Sequence, residues 1–186
     1  MSNIRVASRY AKSLLELAEE HNVLEAVKGD FKTFLSIVDE NRSVGLALDS
    51  PVINYDKKFN ILKLLLGKSA NKLTISFFDL VTRKKRSNVL VSTAKEFLRQ
   101  YNVYKNIQVA EITTTLPLTE DLREEIINLV KEISGLEKVE LVEKIDKDLI
   151  GGFVLKVGDK LWDDSISGKL RKARMKFAQR YFVKLY

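Results

Sequence analysis

The chain has no cysteine, two prolines, one histidine and one tryptophan among 186 residues. Without cysteine there is no disulfide framework, no thiol nucleophile and no thiolate-bound metal, and a reducing interior fits the composition. His21, the one histidine, falls where a helix is expected to end, with no nucleophile motif beside it. It reads as a solvated or capping side chain. No apolar run approaches the roughly 18–20 residues that a membrane span needs, so no direct membrane insertion is expected. Arg5 and Arg9 interrupt the first apolar residues, so no secretory leader is expected either.

A phosphate loop is also missing. Gly151-Gly152 and Gly158 match neither a dinucleotide fingerprint nor a P-loop, since no Gly-Lys-Ser/Thr accompanies them at the mouth of a helix. The glycine pair reads instead as backbone conformation: a bulge, or a close approach that a Cβ would block. Asp163-Asp164 lacks a third ligand and reads as the acidic start of a helix. The expectation is a non-enzyme without metal or cofactor.

What is present is core and charge. Hydrophobic residues make up 45% of the chain and charged ones 31%, enough for a buried core under a soluble surface. The net charge of +7 is unevenly placed. Residues 1–105 carry 18 Lys and Arg against 11 Asp and Glu; residues 106–168 carry 7 against 14; residues 169–186 carry 7 against none. Such segregation suggests several surfaces facing different partners.

The first hundred residues read as helices. Ile4, Ala7, Ala11, Leu14 and Ala18 make a helical stripe, and Val6, Tyr10 and Leu17, with Ser13 among them, make a second beside it. That apolar arc is wider than one core-facing side requires. It fits either a helix buried on two sides of its own bundle or a helix with one stripe lining a partner's groove. Asn22 with Glu25 suggests a cap for a second helix, with Leu24, Val27, Phe31, Phe34 or Leu35, and Val38 inward. A short helix from Ser43 to Leu48 ends before Pro51. Tyr55, Phe59, Leu62 and Leu66 mark a fourth helix, closed by Gly67. Leu73, Phe77 and Leu80, flanked by Thr74, Phe78 and Val81, mark a fifth, again two-faced. Leu90, Ala94, Phe97, Tyr101 and Tyr104 mark a sixth. The fold expected for residues 1–105 is an all-α six-helix bundle.

Near Asn106 the pattern changes. Ile107 to Ile112 and the threonines after it are strand-like. Leu116-Pro117-Leu118 ends that strand, and Thr119, followed by Glu120 and Asp121, opens a helix with Leu122, Ile126, Leu129 and Ile133 expected inward. Val139, Leu141 and Ile145 alternate as in a half-solvated strand. A strand from Ile150 to Val157 turns at Gly158-Asp159 and returns through Leu161-Trp162. Asp163-Asp164-Ser165 then opens a terminal helix whose buried face is expected to hold Ile166, Leu170, Ala173, Phe177 and Tyr181. Residues 106–186 thus read as a small α+β domain.

An alternative reading is an RNA-binding or ribosome-associated protein. Arg83-Lys84-Lys85-Arg86 and the basic tail from Lys169 to Lys184 supply charge, and Tyr181, Phe182 and Tyr186 supply rings. Against it, the rings share the tail helix's apolar side, and the excess of acid in residues 106–168 repels phosphate.

Two motifs carry a family resemblance. Ile150-Gly151-Gly152, Val157-Gly158-Asp159 and Asp163-x-Ser165-x-x-Gly168-Lys169-Leu170 resemble the C-terminal signature of the delta subunit of F-type ATP synthases, called the oligomycin-sensitivity-conferral protein in mitochondria. Ala7-Ser8-Arg9-Tyr10-Ala11-Lys12 resembles that family's opening helix motif. The resemblance implies a non-catalytic stator subunit of the peripheral stalk, joining the catalytic head to membrane-anchored b subunits against rotor torque. By resemblance, the N-terminal bundle binds the N-terminal segments of the α subunits in a groove between the first and fifth helices. Tyr10 maps there by motif, and Ser13, Phe77 and Leu80 by helix position; Ser13 stands where the family often has Ala. The C-terminal domain, with its signature residues Gly151, Gly152, Gly158, Asp163, Ser165 and Gly168, is implied to hold the b subunit. Asp164 replaces the Gly often found after Asp163. The implied setting is a monomer within the complex, peripheral on the cytoplasmic face of a bacterial membrane, with no nucleic acid bound.

Overall fold

The chain folds into two compact units, residues 1–104 and 105–186, in a computed structural model that describes residues 3–67 and 70–182. The first is helical and the second is α+β. Among the described residues, no helix is long and apolar enough to cross a membrane.

The helical unit contains α1 (Asn3–Glu20), α2 (Leu24–Glu40), α3 (Arg42–Asp49), α4 (Tyr55–Leu66), α5 (Lys72–Arg83) and α6 (Leu90–Tyr104), with a 3₁₀ turn at Ser87–Val89 before the last. Four phenylalanines make its centre: Phe31, Phe34, Phe78 and Phe97 are fully buried. Their rings meet in edge or tilted pairs, the Phe31–Phe97 centroids being 4.9 Å apart. Ala7, Ala11, Leu14 and Ala18 bury one side of α1, whose small residues let α6 lie close along it. Ile4, at the head of the expected stripe, is exposed. Gln100 Nε2 links the same two helices, donating to the Ser8 carbonyl at 3.2 Å and to Glu96 at 3.0 Å.

Asn22 acts differently from the expected N-cap. Its φ of 54° is left-handed, and Asn22 N and Val23 N donate back to the carbonyls of Glu19 and Ala18. That closes α1 in a Schellman arrangement. Val23 takes the N-cap position of α2 without a side-chain bond, and Glu25 instead accepts from the Tyr101 hydroxyl at 2.5 Å. The pairing across helices outcompetes the local capping box.

Lys58 has a place that no local pattern announces. It is buried, and its Nζ donates to the Leu48 carbonyl and to Ser87 Oγ, each at 2.7 Å. Burial pushes its pKa down, while the nearby charge of Asp49 pushes it up. One ammonium thereby ties the end of α3 and the turn before α6 to α4.

In the second unit, β1 (Ile107–Thr114) is central to a mixed sheet of order β2-β1-β3-β4. It pairs in parallel with β2 (Lys138–Ile145), joined to it through α7 (Glu120–Ser134), and antiparallel with β3 (Phe153–Val157). Strand β4 (Lys160–Asp163) completes a hairpin around Gly158, φ 58°, and α8 (Ile166–Phe182) ends the described chain. Alternation puts Ala110, Ile112, Leu155 and Val157 on one face, against Val130 of α7, with Val139, Leu141 and Phe153 around them.

Three expectations fail here. Strand β3 starts at Phe153, not Ile150: Ile150 has φ 66°, a conformation a β-branched residue rarely adopts, and breaks the ladder. On α7 the buried side chain is Val130, while Leu122 and Leu129 are exposed, because the sheet covers only a narrow strip of the helix. On α8, Ile166 and Leu170 are nearly half exposed and Phe177 is 68% exposed; among the described residues the helix packs chiefly on the short turn Lys147–Leu149 and the glycine pair. The side chains of Tyr181 and Phe182, and Tyr186, lie outside the described residues.

Candidate partner-binding surfaces

Helix α1 presents its two apolar stripes differently. The alanine stripe is buried, whereas Val6 and Tyr10 are half-buried and Ser13 and Leu17 exposed. Helix α5 repeats this: Thr74, Phe78 and Val81 face inward, Leu73 and Phe77 are half-buried, and Leu80 is 49% exposed. The two outer stripes meet through Tyr10 and Phe77, whose rings stand edge to face with centroids 6.1 Å apart. Phe77 in turn meets the core ring of Phe31. Tyr10 is therefore held from below while its outer edge remains open. Beside it lies a pocket of about 390 Å³ lined by Val6, Arg9, Tyr10, Ser13 and Arg86. Tyr10 and Ser13 thus share one pocket, and Phe77 touches the Tyr10 ring from α5; neither Phe77 nor Leu80 is part of that lining.

The signature residues of the second unit gather around the start of α8. Gly152 has φ 76°, and a Cβ there would sit 2.4 Å from the Asp164 carbonyl oxygen and 3.1 Å from Ser165 Cα. Backbone occupies that space, so no rotamer change relieves the clash. The amides of Asp164 and Ile166 donate, each at 3.0 Å, to the carbonyls of Phe153 and Gly151. Ser165, buried, accepts from Gly168 N at 3.0 Å as the N-cap of α8, and donates through its hydroxyl to Asp163 Oδ1 at 2.5 Å. That hydroxyl, then the Ser165 amide, holds the Asp163 carboxyl below the usual carboxylate range. A Cβ on Gly168 would lie 2.4 Å from Asp163 Oδ2. The arrangement is a clasp, fixing the terminal helix to the head of β3. Asp163 is committed to that cap, and Asp164 pairs with Lys169 at 2.8 Å.

Beside the clasp, an apolar cleft of about 640 Å³ runs between the end of β1 and α7. Leu116, Pro117, Leu118, Leu122, Ile126 and Leu129 line it, with Gly152 and Phe153 at one end. Leu116 is 73% exposed. The cleft has no separate sign in the sequence, because Leu122, Ile126 and Leu129 on α7 share the helical spacing of a core stripe. Nor does the sequence bring Arg9 and Arg86 together at the Tyr10 pocket, since Arg9 sits inside the Ala7–Lys12 motif and Arg86 at the end of a charge run.

Comparison with known proteins gives a consistent result. Residues 6–177 match the family described as ATP synthase delta (OSCP) subunit. The chain is 40% identical over 180 residues to ATP synthase subunit delta of Cytophaga hutchinsonii, covering 97% of this chain and 98% of that one. It is 36% identical to the corresponding protein of Christiangramia forsetii, covering 98% of each, and 30% identical to that of Synechocystis, covering 90% and 91%. The fold matches a chain in the mitochondrial ATP synthase hexamer of Toxoplasma gondii with a TM-score of 0.69 at 20% identity, over 92% of this chain and 97% of that one. A helical unit, an α+β unit closed by a glycine clasp, and relatives matched nearly end to end place the chain in one family: it belongs to the ATP synthase delta (OSCP) subunits, non-catalytic components of the peripheral stalk of F-type ATP synthases.

Proposed function

We propose that this stalk subunit grips the catalytic head with its helical unit and the membrane-anchored stalk with its α+β unit. The helical unit, read as a six-helix bundle, takes an N-terminal helix of an α subunit in the groove of α1 and α5, against Tyr10, Ser13, Phe77 and Leu80. The α+β unit takes a C-terminal segment of a b subunit. The leucine-lined cleft beside the clasp is the seat that its apolar chemistry favours. The setting is the cytoplasmic face of a bacterial membrane, reached only through the complex, with one copy per complex and no nucleic acid bound.

The observation that carries this reading is the pair of two-faced helices. A bundle needs one buried stripe from each of α1 and α5, and each has a second that its own unit leaves half open. A stator link must not release under rotor torque. Slow dissociation is better served by apolar contacts than by exposed charge pairs that salt screens. A buried area of about 1,600 Å² for each contact is a fair expectation.

The test has two parts. Co-purification from native membranes should recover α and b subunits with this chain; recovery of RNA alone would overturn the assignment. Titration with an α-subunit N-terminal peptide should then show Tyr10→Ala losing about 2 kcal/mol or more of binding, as an aromatic anchor does. Unchanged binding by that variant would remove Tyr10 from the contact.

A further inference from the structure

One end of the α1/α5 groove is cationic, and the backbone is shaped to make it so. Arg9 and Arg86 both line the pocket beside Tyr10, and no carboxylate lines it. Arg86 Nη1 donates to the Tyr10 hydroxyl at 2.9 Å. Among the described residues neither guanidinium joins an ion pair, whereas Arg83 and Arg99 of the same unit hold Asp79 and Glu96. Arg86 owes its place to the close of α5. Lys85 takes the left-handed conformation at φ 55°, Lys85 N donates to the Thr82 carbonyl and Arg86 N to that of Val81. This is a Schellman closure made by a lysine where glycine is usual. It turns Arg86 back to Tyr10 on α1.

We propose that Arg9 and Arg86 form a carboxylate-reading end of the groove, so that the helix docking there carries an aspartate or glutamate at the edge of its apolar face. This rests on the reading of the groove as the α-subunit site and adds what that site selects. The planar fork of a guanidinium matches a carboxylate in two parallel hydrogen bonds. The apolar contacts with Val6, Tyr10 and Phe77 hold a helix without fixing where along the groove it sits. A carboxylate between the two arginines fixes that register, because a slip of one turn moves it about 5.4 Å out of reach. Opposite charge also speeds encounter, and that gain falls with salt.

The full chain is titrated with a synthetic peptide of the α-subunit N-terminal segment from the same genome. Companion peptides have each Asp or Glu replaced in turn by Asn or Gln. Arg9→Gln and Arg86→Gln should each weaken binding about five- to tenfold and flatten its salt dependence. One neutralised peptide should show the same loss and lose little more against the arginine variants. Lys57→Gln on α4 removes the same charge elsewhere and should bind as the unsubstituted chain does. If Arg86→Gln disturbs the close of α5 in a thermal melt, Arg9→Gln carries the comparison alone. Full binding by the arginine variants, or equal binding of every neutralised peptide, overturns the carboxylate reading and leaves the groove standing. Failure of the unsubstituted chain to bind any of the peptides overturns the groove reading itself, and this inference with it.

Discussion

The two units of this subunit solve the burial problem differently. The helical unit buries four phenylalanines completely and leaves single apolar side chains exposed on several elements, Leu17 of α1 and Leu80 of α5 among them. The α+β unit buries a small centre, Ala110, Ile112, Val130, Leu155 and Val157, leaves Leu116 and Phe177 largely in water, and leaves Leu122, Leu129 and Leu170 nearly half exposed. The first is a finished core with a second stripe of α1 and of α5 left partly open. The second is held together as much by backbone geometry, in the clasp of Gly152 on Asp164 and Ser165, as by packing. One expects rigidity from the first and completion by a partner for the second.

The sharpest way to break this contrast is to cut the aromatic centre. Phe97→Ala removes a fully buried ring and should cost the helical unit about 3–5 kcal/mol. Far-UV circular dichroism would follow that loss. The one tryptophan, Trp162 on β4, reports separately on the α+β unit, and its unfolding transition should stay in place. A joint shift of both signals would show one cooperative body instead of two.

Gly152→Val makes the converse cut. The left-handed φ and the 2.4 Å approach to the Asp164 carbonyl oxygen leave no room for a β-branched side chain. Strain and overpacking together should cost about 3 kcal/mol, or unfold the α+β unit outright. Trp162 fluorescence should report the loss, while peptide binding to the helical unit persists. A variant that keeps the Trp162 transition unchanged would show that the clasp contributes nothing.

A smaller effect separates the units by pH. Arg99 holds Glu96 by two hydrogen bonds, of 2.9 and 2.7 Å, and chiefly through these the Glu96 pKa falls from 4.5 to about 2. A depressed carboxylate stabilises the fold fully above its unfolded pKa, and the contribution drains away as pH falls through the folded one. The window is therefore about pH 4.5 down to 2. Glu96→Gln should lower helical-unit stability by about 1–2 kcal/mol at neutral pH, less than the full shift implies because Arg99 stands in water. The difference between variant and parent should vanish toward pH 2. A constant difference across that window would mean the loss is steric instead of electrostatic.

Much of this was legible in the sequence, and the failures share a cause. Alternating and 3.6-residue patterns located the described helices and strands, because burial on one face dictates both. Patterns cannot say how wide the buried face is. On α7 the spacing of Leu122, Ile126 and Leu129 suits a core stripe as well as a cleft wall, and only the sheet's narrow reach decides for the cleft. Ile150 looked like strand because it is β-branched; the glycine pair's requirement to meet α8 overrode that propensity. Asn22 and Glu25 fitted a capping box, yet Tyr101, far away in sequence, claimed the glutamate. Lys58 gave no local sign, since its partners Leu48 and Ser87 lie on other elements. Glycines were the better guide: the Gly152 conformation is a requirement of one backbone against another, which no other residue meets.

The smallest expected change in stability is the one that separates a docking stripe from a core stripe. Leu80 lies 49% exposed in the last turn of α5. Leu80→Asp gives up partial burial of one side chain and some helix propensity. The new carboxylate stands near the negative end of the helix dipole, which disfavours it by a few tenths of a kcal/mol. Arg83 and Lys84, three and four residues on, offset that by about the same amount. The helical unit should therefore lose no more than about 1 kcal/mol, as surface changes do. Were Leu80 part of the packed interior, an unpaired carboxylate would cost several kcal/mol and exceed the cost of trimming Tyr10. Binding of the α-subunit peptide is the second reading on the same variant. Loss of binding with the melt almost unchanged puts Leu80 in the groove. An unchanged melt with unchanged binding confines the groove to the Tyr10 and Phe77 end, where the two arginines also stand. A large drop in the melt would show that α5 has a single packed face, and the contrast between the finished core and its open stripe would fail at that helix.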